Sequence, residues 1–167
     1  MRGTRRSWLV ASGVLLLGGC GFKLSRPTSY PFQTIYIVGG ALSQLGAEIQ
    51  RHLQTGGVVE VITDPRQIER AELVLELLQD FREKVIIGRT STGAVREFQL
   101  RMRVRFRVRN REGIERIPEV ELEQRRDITF NESFVLSKSA EENLLYANMQ
   151  TEMAQQILRR LAALPAV

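Results

Sequence analysis

Residues 98–109 read Phe98-Gln99-Leu100-Arg101-Met102-Arg103-Val104-Arg105-Phe106-Arg107-Val108-Arg109. Every even position is apolar and every odd one polar. A period of two held this long describes a strand with one buried face and one wet face. Such a strand needs a partner on each side and a layer over its apolar face, so the flanking sequence has to supply both.

On the C-terminal side, Arg111-Glu112-Gly113 is a three-residue loop with glycine where positive φ is wanted. It pairs Asn110 with Ile114 and starts a strand over 114–130. Counting outward sets Arg109 opposite Glu115, Arg105 opposite Glu119, Arg103 opposite Glu121 and Arg101 opposite Glu123. Opposite charges facing across an antiparallel pair stabilise by about 0.2–1 kcal/mol each. The arginine row is therefore expected to be matched rather than bare. On the N-terminal side, 88–94 (GRTSTGA) is a hairpin tip, and Leu73 to Ile87 is a strand. Its apolar residues Leu73, Leu75, Leu77, Phe81, Val85 and Ile87 all fall at odd numbers.

Further out, the period changes. Leu42, Leu45, Ile49 and Leu53 recur at helical spacing, so 42–54 reads as an amphipathic helix stopped by Gly56 and Gly57. It lies between two short apolar strands, Phe32–Val38 and Val58–Ile62, and Asp64-Pro65 opens a turn. The last element is a helix over 139–163. Ser139 and Glu142 form its capping box, and Leu145, Met149, Met153, Ile157, Leu161 and Leu164 form its stripe. Arg159 and Arg160 suit its C-terminal end, and Pro165 stops it. The fold class that follows is α+β, with two helices packed on one face of a mixed, mostly antiparallel β-sheet. A single domain spans 32–167. Two apolar helix faces covered by one sheet imply a monomer.

The first nineteen residues belong to something else. MRGTRR is a positive start, WLVASGVLLL is a short apolar core, and Gly18-Gly19 precede Cys20. That is a secretory leader, and its apolar run is too short for the roughly 20 residues of a bilayer span. Leu17-Gly18-Gly19-Cys20 resembles a lipobox. Cys20 supplies the sulfur for a thioether to diacylglycerol, and two or three acyl chains give stable anchoring where one does not. Gly21, in place of Asp, resembles the outer-membrane sorting pattern. Residues 20–31, with Pro27 and Pro31, read as a lipidated tether. Removing residues 1–19 takes away Arg2, Arg5 and Arg6, so the net charge of +5 becomes +2 on 148 residues.

Several functions are disfavoured by what the sequence lacks. One Cys and one His supply neither a disulfide nor a structural zinc set. His52 reads as a half-buried helix histidine. No nucleophile elbow, zinc-protease helix or phosphate loop is present, and Gly39-Gly40 lacks the continuation of a nucleotide-binding turn. No cofactor beyond the lipid on Cys20 is expected. Binding of single-stranded nucleic acid needs exposed aromatics among the cations. Here Phe98 and Phe106 alternate onto the opposite face.

Several segments together carry a family resemblance. These are Cys20-Gly21-Phe22-Lys23-Leu24, Tyr36-Ile37-Val38, GAVREFQL over 93–100, Arg126-Asp127, and Val135-Leu136-Ser137-Lys138 ahead of Glu141, Glu142 and Tyr146. In this order and spacing the chain resembles the LptE family. The resemblance implies a helix-on-sheet lipoprotein of the outer membrane that plugs an LptD-type β-barrel. It also implies help in that barrel's assembly, delivery of lipopolysaccharide to the outer leaflet, and direct contact with lipopolysaccharide. Lipopolysaccharide phosphates call for cations. The 88–94 tip and the 131–138 connection lie at one end of the meander, which nominates Arg89 and Lys138, with Arg96 nearby. The alternative is an auxiliary lipoprotein of a lipid-trafficking ABC transport system. A periplasmic hydrolase stands third and would require an essential carboxylate or His52.

Overall fold

The computed structural model describes residues 29–40, 42–129 and 135–165. The leader, Cys20 and the Phe22-Lys23-Leu24 segment lie outside the described residues, as do Phe130 and the side chains of Val135, Leu136 and Ser137. The elements run β1 (Thr34–Val38), α1 (Gln44–Thr55), β2 (Glu60–Ile62), β3 (Leu73–Arg89), β4 (Val95–Asn110), β5 (Glu115–Thr129) and α2 (Val135–Ala162). The five strands form one sheet in the order β2-β1-β3-β4-β5. β1 is parallel to β2 and β3, and the β3–β4–β5 meander is antiparallel. This is the α+β architecture that the alternation demanded.

The even-numbered residues of β4 from Leu100 to Val108 are all fully buried. Leu45, Ile49 and Leu53 of α1 meet them in one core, together with Met149, Met153, Ile157 and Leu161 of α2. Both hairpins close as three-residue loops. The Asn110 N–H donates to the Ile114 carbonyl at 2.9 Å, and the Thr90 N–H to the Ala94 carbonyl at 2.8 Å. Gly93 and Gly113 take φ of 88° and 81°, where a side chain would be strained. The polar link between the helices is Glu48, buried in α1. It accepts hydrogen bonds from Gln150 at 2.6 Å and Thr151 at 2.7 Å in α2.

Several details depart from the sequence reading. The register of β4 on β5 matches expectation at Arg109–Glu115, then slips by two. Arg105 stands opposite Glu121, Arg103 opposite Glu123, and Arg101 opposite Arg125. The slip occurs in two steps around Pro118, which has no N–H to give the ladder and sits on an edge strand where that is tolerated. A second irregularity lies in β3. Between Leu77 and Gln79 the register shifts, and the residues from Gln79 to Ile86 change face, before two further shifts around Gly88. Phe81, paired with Arg103, is 45% exposed rather than part of the core, while Arg82 and Lys84 turn to the helix side opposite Met102 and Leu100.

Third, α2 begins at Val135, so Ser139 and Glu142 do not cap its start, and Lys138 lies inside the helix instead of in the connection. Fourth, residues 65–70 form a short 3-10 helix rather than a bare turn. Ile68 there packs, with Tyr36, on a small second core of Ile62, Ala71 and Val74. His52 is more open than expected, its side chain 47% exposed and 4.0 Å from Glu48.

Candidate functional site

Two surfaces hold the polar chemistry. The first is the open face of the meander. Arg101 pairs with Glu83 at 3.4 Å, Arg103 with Glu121 at 3.3 Å and Glu123 at 3.7 Å, and Arg105 with Glu119 at 3.0 Å. Arg107 bridges Glu76 and Glu115, Arg109 meets Glu76 at 2.9 Å, and Arg125 meets Glu123 at 2.6 Å. Six arginines thus meet six glutamates. The expected pairs Arg105–Glu119 and Arg103–Glu121 do form, but diagonally. Arg101 finds its partner on β3 because the slip has put Arg125 opposite it.

Glu76 anchors this network. Burial pushes its carboxyl upward, but hydrogen bonds from Arg109 and Arg107 and their charges outweigh that, and it is held below the usual carboxylate range. The hydrogen bond from Arg125, opposed in part by burial, likewise lowers Glu123. A carboxyl depressed in the folded state contributes stability above its unfolded pKa, near ~4.3, and loses it as pH falls through the folded value. Glu76→Gln is therefore expected to lower stability at pH 7 by about 1 kcal/mol, a modest figure because solvent screens one side of the bridge. Urea unfolding at successive pH values should show the variant and the parent converge as the medium is acidified below ~4. A difference that persists in strong acid would mean packing, not charge, is what Glu76 supplies.

The second surface is the end of the sheet where β3 stops, β4 starts and α2 begins. Arg89 closes β3, its guanidinium donating to the Gly93 carbonyl at 3.1 Å. Arg96 opens β4 as an exposed residue with no ion pair among the described residues. Lys138, 23% exposed, is held 2.7 Å from Glu141. The topology brings all three of these cations to one end of the domain, with Arg89 and Lys138 held by separate local bonds rather than joined in one cluster. Lys84 is a further cation near this end that the sequence pattern does not single out. It lies 4.3 Å from the centre of the Phe98 ring and pairs with Glu142. Only the change of face in β3 puts it on the helix side, and no residue near it in sequence signals that. Tyr146, whose phenol burial pushes up, keeps its proton and donates it to the Glu83 carbonyl at 2.7 Å.

With this geometry in view, the comparisons are informative. A sequence pattern described as LptE, lipopolysaccharide-assembly, matches residues 32–161. The solution structure of uncharacterized lipoprotein B from Nitrosomonas europaea is 33% identical, with a TM-score of 0.73 over 86% of this chain and 91% of that one. Two more distant structures share the fold. The rare lipoprotein B of Shewanella oneidensis is 24% identical, with a TM-score of 0.63 over 78% of this chain and 94% of its own. A minor lipoprotein of Acinetobacter baumannii is 22% identical, with a TM-score of 0.60 over 84% and 98%. No curated protein is matched by the sequence. A pattern covering the whole described sheet and most of α2, together with the first of these structures, decides the matter: this chain belongs to the LptE family and serves lipopolysaccharide assembly in the cell envelope.

Proposed function

We propose that the chain is anchored in the outer membrane through lipid on Cys20, occupies the lumen of an LptD-type β-barrel, and assists that barrel's assembly. From there it contacts lipopolysaccharide on its way to the outer leaflet. The observation that carries this reading is the six-against-six network of the open face. A barrel lumen is polar. A surface that offers hydrogen bonds without net charge suits such a wall, whereas a bare cationic stripe would demand an anionic one. Purification from detergent-solubilised membranes tests the reading. A stoichiometric outer-membrane barrel of the LptD type is the expected companion. Recovery alone, or with an inner-membrane ABC transporter, would move the assignment to the auxiliary-lipoprotein alternative.

The phosphate contacts are assigned to Arg89 and Lys138, with Arg96 beside them. A phosphate would take Arg89 from a neutral carbonyl and Lys138 from a single carboxylate, exchanging one hydrogen bond for another of greater charge. Reversing both, with Arg89→Glu and Lys138→Glu, should weaken lipopolysaccharide binding in vitro by at least about tenfold. Unchanged binding sinks this assignment and leaves the barrel reading intact.

A further inference from the structure

The two ends of the domain are unlike. Arg89, Arg96 and Lys138 stand at one. At the other, β1, β2, β3 and β5 begin, and β4 and both helices finish. The chain comes in here, at Tyr30. Residues 20–28 precede the first described residue, and nine residues at full stretch reach no further than about 30 Å. Whatever holds Cys20 therefore holds this end within that distance.

An open hollow of about 1020 Å³ lies here, with Tyr30, Val58, Glu60, Glu72, Arg111 and Glu112 in its wall. Val58 is 55% exposed, and Ile114, which follows Glu112 and Gly113, is 62% exposed. Each comes after a glycine turn that is tied back into the fold. The Gly57 N–H donates to the Gln54 carbonyl at 3.1 Å and the Gly113 N–H to the Asn110 carbonyl at 3.1 Å, while the Ile114 N–H donates to the Asn110 side chain at 2.8 Å. Turns held in this way keep both side chains pointing out of the fold. They are separate tips rather than one patch, and a partner protein would find no contiguous apolar core to bury. The charges here are of both signs and lie outside ion pairs. Arg111 reaches only the Arg70 carbonyl at 3.4 Å, and Arg116 only the Pro165 carbonyl at 3.0 Å. Glu72 accepts the Gln33 N–H at 2.8 Å, and Glu112 meets no cation among the described residues. The open face of the meander matches its arginines with its own glutamates; this end leaves guanidiniums and carboxylates for something else.

We propose that this end of the domain is a contact site for a phospholipid bilayer surface. Zwitterionic headgroups, each with a phosphate and an ammonium, enter the hollow, and Val58 and Ile114 reach the boundary of the acyl chains. Phosphate oxygens take Arg111 and Arg116 from neutral carbonyls, a stronger bond for each, and the ammonium goes to Glu72 and Glu112. Tyr30 is half-buried, its ring centroid 5.5 Å from that of Phe32. A ring with an apolar body and a polar tip suits the headgroup level. Each contact is weak by itself. A lipid at Cys20 makes them count, because so short a tether turns contact with the bilayer into an intramolecular event. The contact rests on that lipid and not on the barrel.

Cys20 is the only cysteine, and the only tryptophan, Trp8, is in the leader. The chain from Cys20 onward can therefore be coupled through its one thiol to a maleimide-bearing phospholipid and given a single tryptophan as reporter. Coupling supplies the lipid by hand, so the outcome does not depend on whether cells attach one. Vesicles of phosphatidylethanolamine and phosphatidylcholine with brominated acyl chains quench a tryptophan that reaches the acyl boundary. Ile114→Trp should lose about half of its emission there, and Ser91→Trp, at the opposite hairpin tip, should lose none. Adding Arg111→Glu and Val58→Ser to Ile114→Trp should restore the emission; all three positions are exposed and outside the core. Equal quenching at 91 and 114, quenching at neither, or quenching that the two added changes do not relieve overturns the proposal. Quenching that requires phosphatidylglycerol would make this a plain contact of cations with an anionic leaflet. Quenching that grows with the surface density of the protein would give this end to a second copy. Either result overturns it as well.

Discussion

Replacing Phe106 with alanine is expected to lower the stability of the domain by about 3–5 kcal/mol. The ring is fully buried at the middle of β4, opposite Leu77 on one side and Val120 on the other, with the Arg160 guanidinium 5.9 Å above it. It is held between a sheet and two helices, so no neighbour can collapse into the void without moving a whole element. The cost then includes the cavity as well as the lost transfer energy. For a domain of this size the melting temperature should fall by about 10 °C. Phe81→Ala is the contrast. Read by number parity, Phe81 belongs to the core as Phe106 does; the change of face leaves it 45% exposed, and its loss should cost less than about 1 kcal/mol. Thermal unfolding of the two variants side by side decides it. Equal losses would mean that β3 runs unbulged in solution.

The second large effect is expected at Gly46, and its sign is the informative part. The residue lies in the first turn of α1, where alanine is normally better than glycine by about 1 kcal/mol. Here a Cβ would stand 2.7 Å from the Gly40 Cα, 3.0 Å from the Gly40 carbonyl and 3.2 Å from the Leu77 Cδ1. Two of those atoms are backbone, in the turn that joins β1 to the helix. That turn is tied by hydrogen bonds from Leu42 and Ser43 to the Gly39 carbonyl. The helix must therefore move off the sheet to admit a methyl group, and overpacking of this kind costs about 1–3 kcal/mol. Gly46→Ala should destabilise by about 2 kcal/mol in denaturant titration, the propensity gain notwithstanding. A stabilised variant would show that α1 can lift from the turn freely.

Gly46 also illustrates how far sequence reading reaches. The helix around it was legible from Leu45, Ile49 and Leu53, and the turn before it from Gly39-Gly40. That the two glycines touch was not, because the contact joins elements whose spacing is set by the sheet. The candidate anion site divides in the same way. That Arg89, Arg96 and Lys138 share one end follows from counting strands, since each reversal of the chain returns it to a known edge. Lys138 was nonetheless placed one element too early. The capping box of Ser139 and Glu142 looked like a helix start, but Glu142 is used across the fold, pairing with Lys84.

The order and spacing of several segments determined the family, and the amino-acid sequence by itself also determined the meander, its three-residue loop at 111–113, both helices and the face each buries. All of these rest on short-range regularity: alternation along a strand, 3.6-residue spacing along a helix, glycine where φ must be positive. The tertiary structure decided the parity of β3 beyond Leu77, the two-residue slip around Pro118, the diagonal pairing of the arginine row and the exposure of the β3 edge. Residues 78–87 (LQDFREKVII) hold apolar and charged side chains at both odd and even positions, so local polarity does not choose a face. The choice falls to what stands across from them. The bulge sets Arg82 and Lys84 beneath the polar side chains of α1 and α2, where they bond Gln44, Gln150 and Glu142, and those partners exist only once the helices are in place.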